Sequence, residues 1–110
     1  MQKLNLFIFD FNLGQLLYES GEYIFDPNKE NIKKAHKQYP IQMIPIINNL
    51  LYSKEYNFLP YPFDEFLGYT NRLDIKENAG ILDSDSDFEK LYKLAGIDMI
   101  TPIFTITQGN

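Results

Sequence analysis

The sequence predicts an α+β domain, and three observations carry that reading. Alternating apolar strands joined by tight turns fill the first quarter, capped helical stretches occupy the middle, and an alternating strand closes the chain. At 110 residues the chain reads as a single domain spanning 1–110. Folding at this size buries roughly 65% of the surface that the unfolded chain exposes, enough for one core.

The first strand spans residues 3–9, KLNLFIF, with Leu4, Leu6 and Ile8 on one side and Asn5, Phe7 and Phe9 on the other. Asp10 to Gly14 supply turn residues, Gln15 to Glu19 a second strand, Ser20 and Gly21 a tight turn, and Glu22 to Phe25 a third strand, together a β-meander. Asp26 then offers a cap and Pro27 a first helical position. The helix that follows runs to about Tyr39, with Ile32, Ala35 and Tyr39 as a narrow contact stripe and Pro40 ending it.

Ile41 to Tyr52, apolar and interrupted by proline, reads as strand pieces. Phe58 to Phe63 is extended by its prolines, Asp64 to Leu67 starts a short helix that Gly68 stops, and Arg72 to Asn78 is a weaker helix broken by Gly80. Ser86-Asp87-Phe88-Glu89 is a capping box. It opens a helix with a Phe88, Leu91, Tyr92, Ala95 stripe and Gly96 at the left-handed C-cap position. Thr101 to Thr107 is the closing strand.

Composition narrows function. Without cysteine there are no disulfides, thiolate metal sites or thiol nucleophiles, which fits a reducing, cytoplasmic setting. The N-terminus MQKLNLFIFDF is too short and polar a run for a signal peptide, and nothing approaches a membrane span. A formal net charge of −5 repels a phosphate backbone, so direct nucleic-acid binding is not expected.

No enzyme mechanism suggests itself. His36, the only histidine, sits in a lysine-rich helix as KKAHKQ, away from any triad or metal set. Asp83, Asp85 and Asp87 begin with calcium-loop spacing, but Phe88 and Leu94 stand where that loop needs its glycine and its bidentate glutamate. They are expected to be acids complementing the following helix. No glycine pair falls at phosphate-loop spacing, and Asp64 and Glu65, adjacent on a helix, do not face the same way. No cofactor or metal is expected.

The segment LPYPFDEFLGYTNRLD, residues 59–74, holds more aromatic and proline residues than a small core needs. Phe63, Phe66 and Leu67 are expected in the core. Tyr61 and Tyr69 are candidates for interface anchors, because a rigid aromatic on a loop is what a protein interface uses.

Read in order, these landmarks resemble the N-terminal subdomain of HipA-type serine/threonine kinases of bacterial toxin-antitoxin systems. Asn12-Leu13-Gly14-Gln15-Leu16 resembles the family's V-G-x-L turn, and Tyr23-Ile24-Phe25-Asp26-Pro27 its F-x-Y-D-P segment. Pro40-Ile41-Gln42-Met43-Ile44-Pro45 is similar to P-L-S-L-S-L-P with one residue fewer, and Phe63-Asp64-Glu65-Phe66-Leu67 to F-F-x-N-L-L-P, with Arg72 where an arginine commonly follows. Leu91 to Asp98, LYKLAGID, matches L-L-x-x-I-G-x-D, which makes Asp98 part of a signature. The chain departs from the family in having F-L-G for the N-L-L-P core and Thr101-Pro102 for the usual G-A.

The resemblance implies a small antiparallel sheet or partial barrel with packed helices. With the kinase's phosphate-binding and catalytic parts not among these residues, it implies the detached form of that subdomain, a piece of a full-length HipA being the further alternative. Such subdomains act in HipBST-type systems as antitoxins of a short HipT-like serine/threonine kinase, by protein contact and without catalysis. A HipB-like DNA-binding protein as third member remains open. The expected partner-binding residues are Tyr69 first and Tyr61 second, with Gly68, Phe66 and Arg72 around them. The competing expectation is a free-standing acidic inhibitor that imitates nucleic acid, although ten Lys and Arg are mixed among the acids.

Overall fold

The computed structural model describes residues 2–50, 54–97 and 103–109. Five strands among them form one open antiparallel sheet in the order β4-β3-β2-β1-β5. They are β1 (Lys3–Ile8), β2 (Phe11–Glu19), β3 (Glu22–Pro27), β4 (Lys54–Tyr56) and β5 (Phe104–Gly109). The helices are α1 (Lys29–Gln38), α2 (Pro40–Leu50), a 3-10 helix (Phe63–Asn71), α3 (Leu73–Ala79) and α4 (Asp87–Leu94). No helix among the described residues is long and apolar enough to cross a membrane.

The β2–β3 hairpin forms as expected. Ser20 (φ 52°) and Gly21 (φ 81°) make a two-residue turn with both residues at positive φ, the geometry that matches strand twist. The expected turn at Asp10 to Gly14 is corrected: Phe9 and Asp10 alone make it, and β2 begins at Phe11. The turn-forming residues serve a bulge instead. Leu6 pairs with Gly14 and Phe7 with Asn12, so Leu13 has no partner on β1 and turns fully inward. Asn12 Oδ1 accepts the Gly14 N–H at 3.0 Å and holds the kink.

Period-two alternation divides the sheet's faces. Leu4, Leu6, Ile8, Leu16, Tyr23, Phe25 and Ile106 are buried and meet the helices, with Phe25 against Phe63 at 6.0 Å between ring centroids and Tyr18 against Phe88 at 5.9 Å. On the opposite face Phe7, Leu17 and Ile24 are only half-buried. A polar ladder crosses that face: Gln15 Nε2 donates to Asn5 Oδ1 at 2.8 Å, and Asn5 Nδ2 to Thr107 Oγ1 at 3.1 Å. Glu22 and Glu55 lie there too, and the hydrogen bond and like charge of Glu55 raise the Glu22 carboxyl above its ordinary range.

Three helical expectations change. The α1 cap is Asn28, whose Oδ1 accepts from Asn31 N at 3.1 Å, and not Asp26, because β3 continues through Pro27. Residues 41–50 are helix and not strand pieces. Pro40 takes the first position of α2, where no N–H is needed, and Met43, Ile46 and Leu50 fall on one fully buried stripe. The 3-10 helix runs through Gly68 instead of stopping there.

The Ser86 cap is present, its Oγ accepting from Glu89 N at 3.1 Å, and Phe88, Leu91 and Leu94 bury the inner face of α4. Tyr92 and Ala95 pack half-buried at its margin. Gly96 is not left-handed; α4 ends on Ala95 in right-handed geometry. What Gly96 provides is room, since a Cβ there would stand 2.7 Å from Gln108 Nε2, which donates to Tyr92 O at 2.8 Å and ties β5 to α4.

Of the three aspartates before α4, only Asp87 lies in its first turn. Asp83 pairs with Lys76 at 2.6 Å. Asp85 pairs with Lys93 at 2.7 Å and accepts the Leu82 N–H at 2.9 Å. The lysine hydrogen bonds, joined at Asp85 by that amide, hold both carboxyls below the usual range. Burial, with the charges of Asp87 and Tyr18 adding, pushes the Tyr23 hydroxyl up to about 12.

Candidate functional site

The segment singled out for its aromatics forms one wall of a groove of about 350 Å³. A 3-10 helix has about three residues per turn, so positions 63, 66 and 69 stack along one side. Phe63 and Phe66 are buried and Tyr69 is half-buried against Phe66, with ring centroids 6.5 Å apart. Thr70, also buried, satisfies its hydroxyl by donating to Leu67 O at 2.7 Å.

The second wall comes from the far end of the chain. Tyr61, joined to Pro62 by a cis peptide, meets Phe104 of β5 edge to face at 6.3 Å. Ile103 and Phe104 complete the lining, and Glu65 adds an exposed carboxylate that has no ion pair among the described residues. The groove is therefore an aromatic cleft with one negative group, suited to an apolar side chain accompanied by a cation.

Of the five residues singled out from sequence, Tyr61, Phe66 and Tyr69 are brought together in this groove. Tyr69 lies on the last turn of the 3-10 helix, not on a loop beyond a short helix. Gly68 is exposed beside it, and a Cβ there would meet nothing within 4 Å. Arg72 points elsewhere: its guanidinium pairs with Asp74 at 3.1 Å in solvent, and its carbonyl accepts Lys76 N at the start of α3. Phe63 and Phe66 are buried core as expected, whereas Leu67 is only half-buried, packed against the core's margin. Asp98, Thr101 and Pro102 lie outside the described residues.

Sequence reasoning missed Phe104, Ile103 and Glu65. Nothing local marks Phe104, because its place beside Tyr61 depends on β5 returning to pair with β1. A second, shallower apolar feature was also missed: Leu73 and Leu82, 70% and 58% exposed, flank a depression between α3 and the loop after it. His36 is exposed on α1. Comparison of the chain with protein-family models, with curated proteins and with solved structures returned no match.

Proposed function

We propose that this chain is a HipS-type antitoxin, a detached relative of the HipA N-terminal subdomain that binds a HipT-like serine/threonine kinase and keeps it inactive by contact. The observation that carries the reading is the groove, which gathers Phe66, from the Phe63 to Leu67 stretch resembling the family's F-F-x-N-L-L-P, with the flanking Tyr61 and Tyr69 into one half-exposed aromatic site. Buried aromatic anchors of this kind dominate the energetics of protein interfaces.

Phosphoryl transfer depends almost wholly on positioning of the nucleotide, metal and acceptor. A protein that seats its aromatic edge on the kinase's N-terminal lobe blocks the closure that assembles those parts. Tyr69 and the adjoining Gly68 form the proposed leading edge, with Tyr61 behind them. A HipB-like DNA-binding protein fits as a third member of the complex, and the kinase's own location would make the chain cytoplasmic. The nucleic-acid mimic is less well supported, because Glu30, Asp74, Asp83 and Asp85 are each neutralised by a lysine or arginine.

The test is co-expression with a HipT-like kinase, taking the neighbouring open reading frame as the first candidate, then size-exclusion chromatography and autophosphorylation with and without this chain. A stable complex with suppressed activity is expected. Tyr69→Ala should weaken that complex by about 30-fold or more, as loss of an anchor worth about 2 kcal/mol requires, while the variant stays folded. A kinase that remains active in the complex, or full inhibition by Tyr69→Ala, refutes the assignment.

A further inference from the structure

The groove opens beside an edge of the sheet that is unpaired among the described residues, and the two share a residue. β5 is an edge strand, paired on one side with β1 in a regular register from Lys3↔Gly109 to Ile8↔Phe104. Which of its backbone groups face outward follows from the turn at Ser20 and Gly21. A two-residue hairpin makes Glu19↔Glu22 a hydrogen-bonded pair, and in an antiparallel ladder such pairs alternate with unbonded ones. The same phase makes Leu17↔Ile24 and Gln15↔Asp26 bonded pairs, so Leu16 and Gly14 turn their backbone groups to Leu4 and Leu6 of β1. Asn5 and Phe7 then bond Thr107 and Thr105. Phe9 N, donating to Ile103 O at 3.5 Å, keeps the same phase.

The N–H and C=O groups of Phe104, Ile106 and Gln108 therefore point away from the sheet. Among the described residues only Asn5 Nδ2 approaches one of them, Gln108 O, at 3.5 Å. Proteins commonly blunt such an edge with lysine, proline, a bulge or a very short strand. The opposite edge, β4, is three residues long. β5 has six, FTITQG, with no charge, no proline and no register shift. Phe104 also lines the groove, on the helix-covered side of the sheet.

We propose that the β5 edge and the groove are one composite recognition site for an extended segment of a partner protein. The segment adds as a sixth strand along Phe104 to Gln108. One apolar side chain, on the helix-covered face next to Phe104, enters the groove between Tyr61 and Tyr69. Main-chain bonds supply affinity and the pocket supplies selectivity, the logic of strand addition. Glu65 at the groove and a net charge of −5 favour a segment carrying lysine or arginine beside that apolar residue. The same charge sets two copies of this chain against each other, so β5 pairing with a second copy is not the arrangement proposed. The site does not require the partner to be a kinase, and failure of kinase binding leaves it standing.

The experiment pans a phage-displayed library of random dodecapeptides against the full chain, then follows amide hydrogen exchange by NMR with the enriched peptide added. Enriched peptides should alternate β-branched or aromatic residues with polar ones and include Lys or Arg. Binding should slow exchange at Phe104, Ile106 and Gln108 by at least tenfold and leave Thr105 and Thr107, already bonded to β1, little changed. Gln108→Pro removes the outward N–H together with the side-chain bond to Tyr92 O and should weaken binding about tenfold or more while the spectrum stays folded, whereas Gln108→Ala, which loses only the side-chain bond, should bind within about threefold of wild type. A library that enriches nothing, or peptides that bind without slowing those three amides, overturns the proposal. So does a free chain that elutes as a dimer with those amides already protected, which would give the edge to a second copy.

Discussion

Replacing Gly14 with alanine should be among the most damaging single-methyl changes in this protein. An alanine Cβ would stand 2.4 Å from Asp26 O, 2.8 Å from Phe25 Cζ and 2.9 Å from Pro27 Cα, at a backbone φ of +143° that L side chains rarely adopt. Carbon atoms pack comfortably at about 3.5–4.0 Å, so β3 must retreat by roughly 1 Å. Two of the three obstructing atoms are backbone of the strand paired with Gly14, and retreat breaks that ladder. Overpacking costs about 1–3 kcal/mol and the strained backbone about 1–3 kcal/mol. The stiffer unfolded chain offsets about 0.4–1 kcal/mol of this. The net loss is about 1–6 kcal/mol, a large part of the roughly 5–15 kcal/mol that stabilises such a domain. Urea unfolding followed by circular dichroism measures it, with Gly68→Ala as the contrast. A Cβ at Gly68 meets nothing within 4 Å, and its φ lies outside the left-handed region, so that variant should gain about 0.4–1 kcal/mol. A Gly14→Ala loss under about 1 kcal/mol would refute the close-approach argument.

Ser86→Ala removes the α4 cap and should cost about 1 kcal/mol in urea unfolding, with Ser86→Asp retaining most of it. Asp85 has its folded pKa lowered by Lys93 and the Leu82 amide. Its stabilisation is therefore present above the unfolded pKa of about 3.9 and lost as pH falls through the folded value. Asp85→Asn should be less stable than wild type at pH 7, and the gap should close in unfolding curves taken progressively below about pH 4. Glu22 has the opposite sign. Its folded pKa is raised by Glu55, so the favourable state is the protonated one, present below about pH 4.3 and lost as pH rises. Glu22→Gln should therefore be more stable than wild type at pH 7 and no more stable at pH 4; equal urea midpoints at both pH values would contradict the pairing of these carboxyls.

Elements governed by local chemistry were legible in the sequence. The Ser20–Gly21 turn, the Ser86 cap, the Ile32, Ala35 and Tyr39 stripe of α1 and the Gly80 end of α3 each depend on residues a few positions apart, and each is found. α2 was misread because Pro40 and Pro45 suggested extended chain, although Met43, Ile46, Ile47 and Leu50 carry helical spacing. Proline is harmless at the first helical position, and the bond Pro45 cannot make to Ile41 O falls where Ile41 is 77% exposed and water can replace it. Gly96 was misread because its role is space for Gln108, a residue in another element. The groove was half legible for the same reason: Tyr61, Phe66 and Tyr69 are close in sequence, whereas Phe104 arrives through a pairing across about a hundred residues.

That pairing has a consequence for how the protein is made. β1 lies second from one side of the sheet, so its outer backbone groups wait for β5. During synthesis at about 5–20 residues per second, the meander of β1, β2 and β3 can assemble within seconds of emerging. The flank of β1 then stays bare for roughly another 5–15 s until Phe104 to Gly109 follow. In that interval the nascent sheet presents Lys3, Asn5 and Phe7 as an unsealed seam, open to any neighbouring strand. The polar ladder from Gln15 through Asn5 is already half built at that stage and completes only with Thr107. Arrival of the final strand closes that seam and supplies the Thr107 hydroxyl that completes the ladder.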